Sequence, residues 1–281
     1  MDLKQRVSLM YVRTKFKLLS TISKRKAAKQ ALKLFLTPQK RNIKPLPAEF
    51  MNAEKLQFSI DGNVVNGYRW NFPSAKKLLI LHGFESSVIQ FDHLIKPLTE
   101  SGYEVLAFDA PAHGRSSGKM IDVFIYKNMI DRINRLFGPV TNFIAHSFGG
   151  LALTLYLEDH THDQQFKVVL IAPATETKTA IKNYFTLLNL NEKVKDEFEK
   201  QMIATGGKHP SWYSISRASE NIKAGVLFLQ DEEDELTPLS DVKPIMNRNY
   251  PNFSFVISKG FGHRWIYKDP SSVSSIINFL K

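Results

Sequence analysis

The sequence contains no cysteine. Disulfide staples, thiolate metal sites and a cysteine nucleophile are therefore excluded, and the chain suits a reducing cytoplasm. It also lacks any apolar run approaching the ~20 residues that a bilayer span requires. Met1-Asp2 offers no positive start, and the early apolar runs are too short for a secretory core, so no signal peptide is expected. Internal repeats and low-complexity tracts are missing too. No cluster has metal-ligand spacing, so neither metal nor cofactor is expected.

Acidic residues are scarce in one place only. Residues 1–55 hold 14 Lys/Arg against 3 Asp/Glu, while the other 226 residues hold 24 of each, so the whole net charge of +11 sits in an N-terminal arm. That imbalance says little about the chemistry of the body. Residues 1–36 read as one or two basic amphipathic helices, with Leu3, Val7 and Met10, then Ala28, Ala31, Leu32 and Phe35, at helical spacing. Two readings fit this arm. It is either a helix packed on the domain with a solvated basic face, or a membrane-surface helix that gives residues 1–36 a peripheral membrane contact and makes the protein membrane-associated. A nucleic-acid arm ranks last, because aromatic interleaving is sparse, and no nucleic-acid partner is expected.

Prolines 38, 45 and 47 mark residues 37–50 as an extended linker. The expected division is thus a basic helical arm and linker over 1–50 and one large domain over 51–281. A hydrophobic content of 43% and an aromatic content of 11% are enough for a sizeable core there. Leu56–Ile60, the turn Asp61-Gly62-Asn63 and Val64–Phe72 read as an antiparallel hairpin. Beyond it, short, largely apolar strands at 78–81, 105–108, 142–145, 168–172, 226–229 and 253–257 alternate with amphipathic helices. That pattern predicts an α/β fold, a mostly parallel central sheet with helices on both faces. Residues 175–223 interrupt the alternation with two helical stretches and the pair Trp212-Tyr213. An insertion at the C-terminal end of a central strand is placed like a lid.

Asn142–Gly150 is the stretch around which the rest is organised. An apolar run turns at Ala145-His146-Ser147-Phe148-Gly149 into a helix-like run. This is the pattern of a nucleophile elbow, in which a strained strand-to-helix turn pushes the Ser147 hydroxyl out of the sheet. Ala145 stands where the commonest version has Gly. Taken alone, the motif also fits a serine capping a core helix.

Three loops at strand ends strengthen the first reading. Gly83, in His82-Gly83-Phe84, frees the backbone to aim the Phe84 N–H at a ligand. The Phe148 N–H would complete an oxyanion hole. His82 is expected to hold its loop by hydrogen bonds. Asp231, Glu232, Glu233, Asp234 and Glu235 follow the 226–229 strand, and one of these carboxylates can orient a histidine. Elbow architectures order nucleophile, acid, histidine along the chain. Of eight histidines, only His263 lies beyond the acidic loop.

With these motifs in hand, residues 56–281 resemble the α/β-hydrolase family of serine esterases, lipases and serine-aminopeptidase-like enzymes. The carrying segments are HGFESS (82–87), GYEVLAFDAPAHGRSSG (102–118), AHSFGG (145–150), LFLQDEEDELTP (227–238) and GFGH (260–263). The resemblance implies a helical lid over 175–223. It gives Asp109 and His113 a bracing role beside the site, with Ala112 in place of a Gly. It aligns Asp234 with the catalytic acid, Asp231 being the fallback should the loop register slip. A serine at the elbow speaks against dehalogenase and epoxide-hydrolase chemistry, whose elbow residue is aspartate.

The expected function is hydrolysis of a small-to-medium apolar carboxylic ester or thioester by Ser147, His263 and Asp234. His82, Gly83, Phe91, His146, Tyr184 and Trp212, with Phe185 and Tyr213, are expected to line or flank the pocket. A serine-aminopeptidase-like amidase is the enzymatic alternative. A non-catalytic ligand-binding protein on the same fold is the reading from a different class.

Overall fold

The computed structural model describes residues 3–41 and 43–281, with side chains from residue 6 onward. Met1, Asp2 and Asn42, and the Leu3 side chain of the amphipathic pattern, lie outside the described residues. The chain divides into two compact units, residues 3–37 with Glu176–Ser214, and Pro38–Thr175 with Ile215–Lys281.

The larger unit is built on one eight-stranded sheet. Its strands are β1 (Glu54–Ile60), β2 (Asn63–Trp70), β3 (Lys77–Leu81), β4 (Glu104–Phe108), β5 (Asn142–His146), β6 (Lys167–Ile171), β7 (Gly225–Asp231) and β8 (Phe253–Ser258). The spatial order is β1-β2-β4-β3-β5-β6-β7-β8. β1 and β2 form the expected hairpin, with Asp61 and Gly62 both at positive φ in its turn. β2 pairs antiparallel with β4, and every later pairing is parallel.

The parallel strands are apolar because both faces are covered. Ile80, Val105, Ile144, Val169 and Leu229 share a core with Leu94, Leu98 and Ile276 from flanking helices. The opposite-parity residues Leu79, Leu106, Phe143, Leu170 and Phe228 are buried as well. Each such side chain contributes about 1.5–3 kcal/mol when fully removed from water. The helix starts also follow from sequence. The Asp122 carboxylate accepts from the Ile125 N–H at 2.8 Å, and Asp269, followed by Pro270, accepts from Ser272 N at 2.9 Å.

The smaller unit is helical. In chain order its long helices are α1 (Leu3–Ile22), α2 (Lys24–Phe35), α3 (Thr177–Leu188) and α4 (Glu192–Gly206). Ala27, Ala28 and Ala31 are fully buried on α2, where small side chains let the backbones approach. They share a core with Phe16, Ile181, Phe185, Leu188, Val194 and Phe198. The division therefore differs from the expected boundary near residue 50. The arm helices and the insertion helices form one unit across 138 intervening residues, 38 to 175.

Candidate active site

β5 ends at His146 and runs into Ser147, whose backbone sits at φ 53° and ψ −121°. For a residue with a Cβ this costs about 1–3 kcal/mol and persists only where surroundings over-determine it. Here the Ser147 N–H donates to Ile171 O at 3.0 Å, and the Ser147 carbonyl accepts from Gly150 N and Ala174 N, each at 3.0 Å. Glycine is obligatory two residues on, because a Cβ at Gly149 would stand 2.7 Å from the His82 carbonyl oxygen. The turn lets the next helix, Phe148–Glu158, start directly beneath the serine.

The loops after β7 and β8 bring two more side chains to that turn. His263 Nε2 lies 3.0 Å from Ser147 Oγ, and His263 Nδ1 lies 2.8 Å from Asp234 Oδ2. A carboxylate only accepts, so Nδ1 carries the proton and Nε2 is left to accept from the serine hydroxyl. Asp234 is itself tightly held. Its Oδ1 accepts from the N–H groups of Leu236 and Thr237, both at 2.9 Å, and its Oδ2 accepts from Thr237 Oγ1 at 2.7 Å. Burial pushes this carboxyl up, but the hydrogen bond and charge of His263, with the two Thr237 bonds, outweigh it and hold the acid below the usual carboxylate range.

Asp231, three residues earlier, does a different job. It accepts from Glu233 N at 3.0 Å, Ser258 Oγ at 2.8 Å and Phe261 N at 3.1 Å, and so ties the acid loop to the turn that carries His263. It is Asp234, not Asp231, that meets the imidazole.

The loop after β3 closes the third side. A Cβ at Gly83 would fall 2.9 Å from Ser147 Cβ and 3.4 Å from its Oγ, which places this backbone against the serine. Glu85 N donates to His113 Nε2 at 2.9 Å and Ser86 N to Gly83 O at 3.2 Å, leaving the Phe84 N–H without an acceptor among the described residues. Phe148 opens its helix, so its N–H has no intrahelical partner either. Behind the loop, Asp109 accepts from Ser87 Oγ, Val88 N and Arg115 N at 2.7–3.0 Å.

The family model for serine aminopeptidase, S33, matches residues 73–225, more than half of the chain. The chain belongs to that family. The match includes Ser147 and stops short of Asp234 and His263. An uncharacterized hydrolase of Bacillus subtilis, YugF, is 30% identical over 98 residues, 34% of this chain. The chain spans only 36% of that relative's length. Among solved structures, the Pyrococcus furiosus esterase Pf2001 superposes with a TM-score of 0.65 at 19% identity, over 87% of this chain and 97% of the other. The thioesterase domain from the curacin biosynthetic pathway reaches 0.59 at 15% identity, over 80% and 99%. At these identities the likeness is one of fold. Family and fold together make the protein an α/β-hydrolase enzyme.

In this S33-family hydrolase, of the residues expected to line or flank the pocket, His82, Gly83, Phe91 and His146 belong to the larger unit and Tyr184, Phe185, Trp212 and Tyr213 to the smaller one. His82 is fully buried, its Nδ1–H donating to Gly83 O at 2.8 Å while its Nε2 accepts from Ala110 N at 2.9 Å. Phe91 is fully buried and stacks on Tyr267 at 5.0 Å. His146 is buried and points its Nε2–H at the His263 carbonyl, 3.0 Å away. A carbonyl takes only a donor, so the His146 proton is on Nε2 and its Nδ1 is a bare, buried acceptor with no partner among the described residues. Burial first, and then the neighbouring His263, push the His146 imidazole down to about 3. Tyr184 and Phe185 pack in the helical unit, where the Tyr184 hydroxyl donates to Ala31 O at 2.8 Å and its ring meets Phe35 edge-on at 5.1 Å. Trp212 meets Tyr213 edge-on at 5.3 Å within the same unit.

The sequence reading missed Thr237 as a partner of the acid. Its hydroxyl also lies 3.1 Å from His263 Nδ1 and 3.2 Å from Ala172 O. The one signal for it was its place three residues after Asp234, where a short loop can fold a hydroxyl back onto a carboxylate.

Proposed function

We propose that this protein is a serine hydrolase that cleaves a small-to-medium apolar carboxylic ester or thioester through an acyl-enzyme on Ser147. The observation that carries this reading is His263, set between Ser147 Oγ at 3.0 Å and Asp234 Oδ2 at 2.8 Å. His263 Nε2 takes the hydroxyl proton as Oγ attacks the carbonyl carbon. The charge that develops on the carbonyl oxygen is taken up by the free N–H groups of Phe84 and Phe148. Collapse of the tetrahedral adduct expels the alcohol or thiol, which leaves with the proton from His263. Water then repeats the sequence on the acyl-enzyme and restores Ser147.

The apolar preference is supported by three exposed side chains on the loops that carry these groups. Phe84 is 36%, Leu236 54% and Trp265 64% exposed, next to Gly83, two residues after Asp234 and two after His263. The family's own description favours a second reading, an amidase acting on a peptide N-terminus, and the same groups serve it.

Hydrolysis of p-nitrophenyl esters of rising acyl length, and of aminoacyl p-nitroanilides, separates the two. Ser147→Ala is expected to lose on the order of 10⁴-fold or more in rate and all labelling by a fluorophosphonate. A variant retaining a tenth of the wild-type rate would show that Ser147 is not the nucleophile.

A further inference from the structure

α1 carries apolar side chains on two opposite faces. Leu9, Val12, Phe16 and Leu19 pack into the core of the helical unit. At ~100° per residue, Val7, Tyr11, Leu18 and Ile22 fall within about 60° of one another on the other side. They are 54%, 70%, 64% and 79% exposed, and Met10 beside them is 63% exposed. The stripe has a basic rim on the same helix, with Arg6 and Lys17 along one edge and Lys15 along the other, all exposed. α2 adds five exposed Lys/Arg residues, and no Asp or Glu occurs between positions 3 and 48.

One apolar face is enough to dock a helix on its own unit. The second face is therefore not explained by packing within the chain. Hydrocarbon side chains rimmed by cations fit a surface that offers both hydrocarbon and anions. A nucleic acid would use the cations and leave Leu18 and Ile22 in water. A second copy of α1 would cover the stripe and bring like charges together. We propose that α1 is a membrane-seating helix, lying in the headgroup plane of a bilayer that contains anionic phospholipid, with Val7, Tyr11, Leu18 and Ile22 inserted. The contact is peripheral, since no helix among the described residues is long and apolar enough to cross a membrane. Because α1 shares a core with α3 and α4, seating the arm also seats the insertion between β6 and β7.

The test uses the full-length protein and extruded vesicles of phosphatidylcholine, with and without about one third phosphatidylglycerol. Wild type is expected to co-sediment with the anionic vesicles and to bind the neutral ones at least about tenfold more weakly. The double variant Leu18→Ser/Ile22→Ser is expected to lose about tenfold or more of the anionic binding. Both positions are exposed, so its thermal midpoint and circular dichroism are expected to match wild type. Three results would overturn the proposal. They are wild type staying in the supernatant with anionic vesicles, the Ser variant binding as tightly as wild type, or a wild-type dimer in sedimentation velocity that the Ser variant abolishes. The last would assign the stripe to a second copy of the chain.

Discussion

Replacing Asp234 by Asn is the sharpest probe of the site, because the surrounding hydrogen bonds dictate how the amide must sit. Asp234 Oδ1 accepts from the N–H groups of Leu236 and Thr237, both at 2.9 Å. An Asn amide turned the other way would aim its NH₂ at two donors, so its oxygen stays at the Oδ1 position. Its nitrogen then occupies the Oδ2 position, 2.8 Å from His263 Nδ1. There it donates, and the imidazole proton must move to Nε2, which faces Ser147 Oγ at 3.0 Å. A protonated Nε2 of a neutral ring cannot take the serine proton, and the carboxylate that would stabilise the imidazolium is gone. The expected loss in kcat is on the order of 10⁴, about 5.4 kcal/mol, with KM little changed because neither atom holds the ground-state substrate. Steady-state hydrolysis of p-nitrophenyl butyrate reads this directly, and fluorophosphonate labelling should slow in parallel. Asp231→Asn is the comparator. Its carboxylate braces Ser258 and Phe261, so its effect should fall mainly on stability. If Asp234→Asn retains a tenth of kcat, the tautomer argument is wrong. It is equally wrong if Asp231→Asn costs more activity than Asp234→Asn.

His146 leads to a paired expectation. His146→Leu removes the donor to the His263 carbonyl and should cost about tenfold in kcat or more, whereas His146→Gln keeps a side-chain N–H at similar reach and should recover most of it. Equal losses in the two variants would dismiss the hydrogen bond as a positioning device. Gly83→Ala puts a methyl 2.9 Å from Ser147 Cβ and 3.0 Å from His146 Nδ1. It should cost on the order of 10²-fold in kcat in a protein that still folds, and wild-type kinetics would refute the close approach. The third expectation concerns acid. His82, His113 and His146 are buried and neutral, their pKa values pushed down by burial, to about 3 for the last two. Below the ordinary value near 6.5 the unfolded chain takes up protons that the folded chain refuses. Their contribution to stability is therefore fully present above about pH 6.5 and, for His113 and His146, falls as pH drops toward about 3, by up to about 1.4 kcal/mol per pH unit for each of these two. The thermal midpoint measured from pH 7 to 4 should decline, and His146→Gln should flatten the slope. A level midpoint over that range would show that these imidazoles charge in the folded state.

What could be read from the sequence, and what could not, divides along a physical line. Apolar runs such as Leu78–Leu81 and Phe143–Ala145 announced buried parallel strands, because a strand covered on both faces has no polar side to hide. The elbow could be seen because its strain demands small neighbours, and Gly149 meets that demand against the His82 carbonyl. His263 was expected from chain order, from the strand before it and from the glycines in front of it, since it alone lies beyond the acidic loop. The acid was not separable by pattern, since five consecutive carboxyl-bearing residues look alike until the loop decides which of them turns inward. Here Asp234 turns to His263 and Asp231 to Ser258 and Phe261. Which neighbours of the motifs face a cleft is hard to read for a related reason. An aromatic or imidazole beside a motif can point up into a cleft or down into the core, and spacing does not say which. His82, Phe91 and His146 all point down. The arm shows the same limit at larger scale. Its helical period was plain, and so was its basic face, but a period identifies a face without naming what covers it. Ala28 and Ala31 were read only as apolar positions at helical spacing, yet with Ala27 they are fully buried in a core shared with the insertion helices. A helix whose partner lies more than a hundred residues away in sequence carries the shape of that partner only in the sizes of its side chains.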